Sequence, residues 1–314
     1  MAADLLCIGL TTVDIIAHPI DRIPENEGGV LIAGIEIVPA GTAAGAALVA
    51  ARLGVTTALA SAIGDDRKGR FVRMALEEEG VDTTLLATSR DYPTSATLLP
   101  IDSQGRRPTL HAMGASLFAE IDAPALDAAK AARFVHWGGV GGVKLDGGPG
   151  EALLRAANAA GAVVTLDLIS PRSGALEELQ RLLPHVHYFM PSRVEALQLA
   201  GVNSLDAAAD FYLGLGARAC IFKNGSAGSY LALGDQRLAL PAHAITPVDT
   251  TSCGDSYCAG FIAALSRGWT PIAAARFATA TAALVALGLG TLGRLEDFDG
   301  VERAMSDMPL GAAA

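Results

Sequence analysis

The sequence is short of several kinds of residue, and each shortage closes off a class of chemistry. Its 314 residues include four cysteines, two tryptophans and a 5% share of aromatic side chains. Cys7, Cys220, Cys253 and Cys258 form no CxxC pair and sit in apolar segments. This argues against zinc-ribbon and thiol-redox sites and predicts buried thiols in a reducing compartment. Basic charge is also scarce, because 23 Lys and Arg face 33 Asp and Glu for a net charge of −10. No clustered basic face is visible, so no nucleic-acid partner is expected, although a few local donors can still hold a nucleotide-sized anion. The most membrane-like stretch, residues 277 to 292, is rich in Ala, Gly and Thr. It falls short of the ~20 apolar residues of a spanning helix, so no membrane partner is expected. The opening MAADLLCIGLTTVDIIAHPI has no basic n-region and is interrupted by Asp14. It reads as a first core strand rather than a leader, and the protein is expected in the cytoplasm. A Walker A sequence is missing as well, which disfavours a P-loop kinase.

What the chain does have is apolar mass in a regular arrangement. Half of it is hydrophobic (51%), enough for one large core, and a single domain over residues 1–314 is expected. Short apolar runs alternate with segments of helical period, as in LLCIGL, GTAAGAALVAARLG, TTALASAIG and GRFVRMALEEEG. That alternation predicts βαβ units, hence an α/β fold with a central, mostly parallel sheet and helices on both faces. Later strands are predicted at 132 to 139, 162 to 169, 186 to 192 and 219 to 225, each ending in polar or glycine residues. Ligands in open α/β sheets sit beyond those strand ends. Residues 28 to 38 and 95 to 112 break the pattern and read as extended or hairpin material, the second with an Asp-Ser-Gln-Gly turn. Two such excursions can pair into a small β-sheet lid built from roughly residues 11–40 and 94–113.

Residues 246 to 261, TPVDTTSCGDSYCAGF, lead into IAALSRGW, whose spacing is helical. The loop 249 to 254 therefore precedes a helix expected to begin near Asp255. The first N–H groups of a helix lack internal partners and its dipole is positive there, so a phosphate is favoured. Thr251, Ser252, Cys253 and Gly254 are small enough for close backbone approach. Asp255 would stand beside that phosphate as a carboxylate able to take a proton from an attacking hydroxyl. Asp is equally a favoured N-cap and first-turn residue, so this loop alone leaves both readings open.

Asp249, Thr250, Thr251, Ser252, Cys253, Gly254 and Asp255, followed by Ala259, Gly260 and Phe261, follow the pattern D-T-x-G-A-G-D with a later A-G-F. Gly64, Asp66, Gly69, Leu76 and Gly80 to Asp82 follow a second pattern, G-x-D-x-x-G with L-x-x-x-G-V-D. With KNGSAGSYL at 223 to 231 and PSRVEALQLAG at 191 to 201, these stretches resemble the PfkB, or ribokinase-like, family of carbohydrate kinases over nearly the whole chain. The resemblance implies a ribokinase-like three-layer sandwich with a β-sheet lid. It also implies phosphoryl transfer from ATP to a hydroxymethyl group of a sugar or sugar-like molecule.

By that resemblance Asp255 is the base, and Ser252, Cys253 and Gly254 form the anion hole around it. Lys223, Gly225, Gly228, Thr250, Gly254 and Thr279 are the implied nucleotide contacts. Glu195 would orient a Mg²⁺-bound water, and Asp249 and Thr251 would hold a monovalent cation, K⁺. Asp14, Gly41, Thr42 and Gly45 would face the substrate together with Asp255, and His111 and Arg172 would contact an acidic group. The lid is also implied as a homodimer contact.

Four positions depart from the family pattern. Ser252 and Cys253 replace Gly and Ala, Ser192 replaces an Asn before Glu195, and Gly45 replaces a hydroxyl-gripping Asn. Ser252 is strained if the loop needs a positive φ there. Gly45 leaves room for a larger or differently charged substrate, so nucleosides and acidic or sulfonated sugars stay open as alternatives. A non-catalytic sugar sensor is the competing class, and it would need no base at Asp255. GLGTLG at 288 to 293 matches a dinucleotide-binding pattern, but it follows a helical run instead of opening a helix. The resemblance makes it a loop closing over adenine.

Overall fold

The computed structural model describes residues 3–169 and 173–311, and Arg172 lies outside them. The chain opens with β1 (Leu5–Ile8), whose four side chains are all buried. It leaves the core through β2 (Thr12–His18) and β3 (Gly34–Ala40), then returns in α1 (Thr42–Arg52) and β4 (Thr57–Gly64). Next come α2 (Arg67–Glu78), β5 (Leu86–Ser89), and a second excursion through β6 (Ala96–Pro100) and β7 (Leu110–Ala112). The central units are α3 (Ala123–Ala131), β8 (Phe134–Trp137), α4 (Pro149–Ala159), β9 (Val163–Leu166), α5 (Ala175–Leu182) and β10 (Tyr188–Phe189). Then follow α6 (Arg193–Ala200), α7 (Leu205–Gly214), β11 (Ala219–Lys223), β12 (Ser229–Leu233) and β13 (Gln236–Leu240). Three helices close the chain, α8 (Cys253–Ser266), α9 (Pro271–Ala286) and α10 (Phe298–Asp307).

The large sheet has nine strands in the order β13-β12-β11-β10-β9-β8-β1-β4-β5. Its pairs are parallel up to β11, after which β12 and β13 turn back antiparallel. Strands buried on both faces should read as unbroken apolar runs, and β4 is buried at all eight positions of TALASAIG. Two hydrophobic clusters flank the sheet. One joins α1, α8 and α9 through side chains such as Leu48, Phe261 and Phe277, and the other joins α4, α5 and α7 through Leu153, Leu179 and Tyr212. Burying such side chains contributes about 1.5–3 kcal/mol each, so the helices are held chiefly by the sheet faces.

The second sheet has four strands in the order β3-β2-β6-β7 and draws on both excursions from the core. The turn between β6 and β7 is where the sequence places it: Asp102 accepts from the Gln104 and Arg106 amides at 2.9 and 2.8 Å. The first excursion differs from expectation. Residues 28 to 33 are not strand, because β2 ends at His18, which pairs with Gly34, and no strand lies opposite the residues before it.

Candidate active site

The ligand-side end of the sheet meets the start of α8. The preceding loop is tied by Asp249, which is buried to 1% exposure. Its Oδ1 accepts from the Thr251 amide and hydroxyl at 2.7 and 2.6 Å, and its Oδ2 from the Gly290 amide at 3.0 Å. One carboxylate thus joins the 249–255 loop to the 288–293 loop. That second loop is no dinucleotide motif: it follows α9, and Thr291 anchors it to Pro39 of β3 at 2.7 Å. Ser252 caps α8 at φ 56°, ψ 7°, the left-handed region that glycine adopts freely. The condition for strain at this serine is therefore met. The helix starts at Cys253, two residues before the position the sequence suggested, and Asp255 lies in its first turn. Small residues serve at the first turn because the amides there have no intrahelical acceptor to lose.

Asp255 stands in the wall of a cavity of about 510 Å³. Cys253, Gly254, Thr250, Lys223, Gly225, Gly228, Thr279 and Glu195 line the same cavity. The Asp255 carboxyl is pushed up to about 7, first by its enclosure, then by the nearby Asp167 charge. Lys223 and a hydrogen bond from Ser252 oppose that rise, and Asp14 adds to it. A carboxyl poised near neutrality can take up a proton at working pH, as general bases do.

Lys223 ends β11 and makes a buried ion pair with Asp167, which lies one residue past β9. Its ammonium is also 3.6 Å from the Cys258 sulfur, and the Cys258 thiol lies 3.5 Å from Asp167 Oδ2. Burial works against the Lys223 charge, but the Asp167 and Asp255 carboxylates outweigh it and keep the ammonium protonated. A side-chain carbon on Gly254 would come within 3.4 Å of that ammonium, so the lysine lies against the first turn of α8.

Gly228 turns β11 back into β12 at φ 87°, and a side-chain carbon there would overlap the Leu240 carbonyl at 1.9 Å. Only glycine can serve at this position. Glu195 forms a capping box with Ser192: its Oε2 accepts from the Ser192 amide at 3.0 Å and hydroxyl at 2.6 Å. Ser192 thus holds the carboxylate at the cavity edge in the position where the family pattern has Asn. Among the described residues no cluster of three or more His, Cys, Asp or Glu could hold a metal.

Among the described residues, the remaining expected ones lie outside the lining of this cavity. Asp14 on β2 is buried with Oδ1 unpartnered, as are the Thr42 and Thr11 hydroxyls. Burial raises the Asp14 carboxyl to about 6, against a hydrogen bond from Thr97 and the charge of Arg107. Thr97 Oγ1 also lies 3.1 Å from His111 Nδ1 on β7 and 3.4 Å from Thr12 Oγ1. Gly41 at the start of α1 has φ 99°, and a side-chain carbon would sit 2.6 Å from the Leu10 carbonyl oxygen. A side-chain carbon on Gly45 would lie 3.1 Å from Asp255 Oδ2 and 3.5 Å from Ser252 Oγ, so α1 packs this glycine against the Asp255 carboxylate.

Asp167 and Cys258 complete the cluster without having been singled out in the sequence. Asp167 had a readable signal, an acid at the C-terminal end of the apolar run AVVTLDLI. Cys258 had none, since an apolar helix hides a thiol that is polar only by its neighbours.

A family model for the pfkB family carbohydrate kinases matches residues 2–297. The nucleoside kinase of Methanothermobacter thermautotrophicus is 30% identical over 94% of this chain and 93% of its own. The fructokinase of Klebsiella pneumoniae is 28% identical over 80% of this chain and 83% of its own. Among solved structures, Arabidopsis thaliana ribokinase complexed with ribose and ATP superposes with a TM-score of 0.79 at 24% identity, over 97% of this chain and 99% of that one. An Escherichia coli protein described as a ribokinase II, in complex with ATP and Mg²⁺, has a TM-score of 0.83 at 20% identity, over 97% and 99%. At these identities the two structures speak to the fold alone: a large, mostly parallel sheet with helices and a smaller sheet. The family match over nearly the whole chain and the named relatives go further: the chain belongs to the PfkB family and is a sugar or nucleoside kinase, a phosphotransferase with an alcohol acceptor.

Proposed function

We propose that the protein transfers the γ-phosphoryl group of ATP to a hydroxymethyl group of a sugar or nucleoside, with Asp255 as the general base. The observation that carries this is the position of Asp255: first turn of α8, in the wall of the large cavity, with a carboxyl raised to about 7. ATP would lie between the Gly225 to Gly228 turn, Thr279 and Thr250, with its terminal phosphate at the α8 start. The amides of residues 252 to 255 and the Lys223 ammonium then face the charge that develops in transfer. Asp255 takes the hydroxyl proton as the oxygen attacks, and the small sheet covers the site and limits access of water.

Mg²⁺ commonly binds through one or two carboxylates plus substrate phosphates, and Glu195 in the cavity lining fits that manner of binding. When bound it offsets the triphosphate charge. Asp249 and Thr251 would hold K⁺ in the loop that they join. On the acceptor side, the unpartnered oxygens of Asp14, Thr11 and Thr42 are suited to two or more hydroxyls of a polyol.

A panel of sugars, sugar acids and nucleosides assayed with MgATP tests the reading. Asp255→Asn should lower kcat on the accepted substrate by about 10²–10⁴-fold and leave ATP affinity nearly unchanged. Wild-type turnover in that variant refutes the assignment of the base.

A further inference from the structure

The ion pair between Lys223 and Asp167 lines the same cavity as Asp255. Lys223 lies against the Gly254 position, next in sequence to Asp255. Cys258 follows Asp255 by three residues on the same face of α8, and its sulfur touches both members of the pair at 3.5 and 3.6 Å. Asp167 and Lys223 line the same cavity as Asp255, and their side chains are 3% and 12% exposed. A pair so shielded from solvent acts on a neighbouring carboxylate with little screening.

We propose that Asp167 and Lys223 are positioning residues for the reaction: a buried charge pair of opposed effect that sets how readily Asp255 accepts the substrate proton. This rests on the reading of Asp255 as the base and adds what governs its strength.

The groups facing Asp255 are few. Asp167 comes from the end of β9, Lys223 from β11 and Asp14 from β2. Cys253 and Cys258 stand on its own helix, both thiols held protonated by burial. The side of α1 facing it presents Gly45 and brings no charge. Asp167 pushes the Asp255 carboxyl up and Lys223 pulls it down, so removing one or the other must displace it in opposite directions.

The test follows the Asp255 carboxyl directly, by ¹³C chemical-shift titration of the ligand-free protein, the signal being assigned by its loss in Asp255→Asn. Beside it run the pH profiles of kcat/KM for the wild type, Asp167→Asn and Lys223→Met. In Asp167→Asn the nearby negative charge is gone and the shape and one acceptor oxygen are kept. Ionised Asp255 is then favoured, so its titration and the acid limb of kcat/KM should move down by about one pH unit. In Lys223→Met the positive charge is gone, and both should move up by a similar amount.

A merely structural role would lower rate and stability in both variants without such opposed displacements. Shifts in the same direction, or none, overturn the proposal, as does a wild-type Asp255 titrating in the ordinary carboxylate range. Should Lys223→Met not fold, Asp167→Asn decides alone: a downward shift supports the pair, and no shift or an upward one overturns it. Wild-type turnover in Asp255→Asn would remove the base reading, and the carbon titration would still show whether the pair tunes Asp255.

Discussion

Ser252 shows how one residue can serve a site at a local cost. A serine at φ 56° is strained by about 1–2 kcal/mol relative to the right-handed region, and glycine would not be. The serine stays in contact with Asp255, since its hydroxyl bonds that carboxylate and favours the ionised form. Ser252→Gly should thus have two separable effects. Thermal unfolding should show a gain of about 0.5–1 kcal/mol from relieved strain, reduced by the greater freedom of the unfolded glycine chain. The acid limb of the rate profile should move to higher pH, because the lost hydrogen bond had stabilised the carboxylate. The identity of Asp255 was legible from the motif around it. Its environment was not, since Asp167, Lys223 and Asp14 arrive from three other strands or strand ends.

At the scale of elements, the turn between β11 and β12 is a part of the cavity wall with little tolerance for change. Gly225 and Gly228 were readable as a glycine-bearing turn, but an ordinary hairpin would use glycines too. The contact that separates the two lies far along the chain, in the Leu240 carbonyl oxygen at 1.9 Å from where a Gly228 side chain would begin. Gly228→Ala should destabilise the protein by about 2–4 kcal/mol through this overlap and the positive φ. Among molecules still folded, KM for ATP should rise more than kcat falls, as steady-state kinetics with varied ATP can show. Gly225 at φ 55° has open space around it, so an Asn there should be far milder. Helix starts were also only partly legible: the small residues before Asp255 read as loop, yet Cys253 and Gly254 belong to α8.

For the whole molecule, the question is what the small sheet does with its outer face. Register sets Ile37, Ile15, Leu98 and Leu110 in one row across the four strands. Ile35, Ile37, Leu98 and Leu110 stand 61%, 52%, 42% and 62% exposed, which is more apolar surface than one sheet usually leaves to water. We propose that a second copy of the chain covers this face through its own small sheet. Sedimentation or light scattering should find a dimer for the wild type, and Ile37→Lys with Leu98→Lys should yield monomers. A wild-type monomer at working concentration counts against it. Among the described residues no helix is long and apolar enough to cross a membrane.

Periodicity and spacing determined the alternating strands and helices, the two excursions, the polar strand ends and the loop that carries Asp255, because each depends on neighbours within about a dozen residues. Motif spacing over the whole chain added the family. Tertiary structure alone decided strand order, the length of β3, the positive φ of Ser252, the close approach of Gly45 to Asp255 and the presence of Asp167, Lys223 and Cys258 at one carboxylate. Most of those features join residues 16 to more than 200 positions apart, and no local pattern carries them. A loop read from sequence as a phosphate site thus shares one cavity, in three dimensions, with Asp167 and Lys223 from distant strand ends.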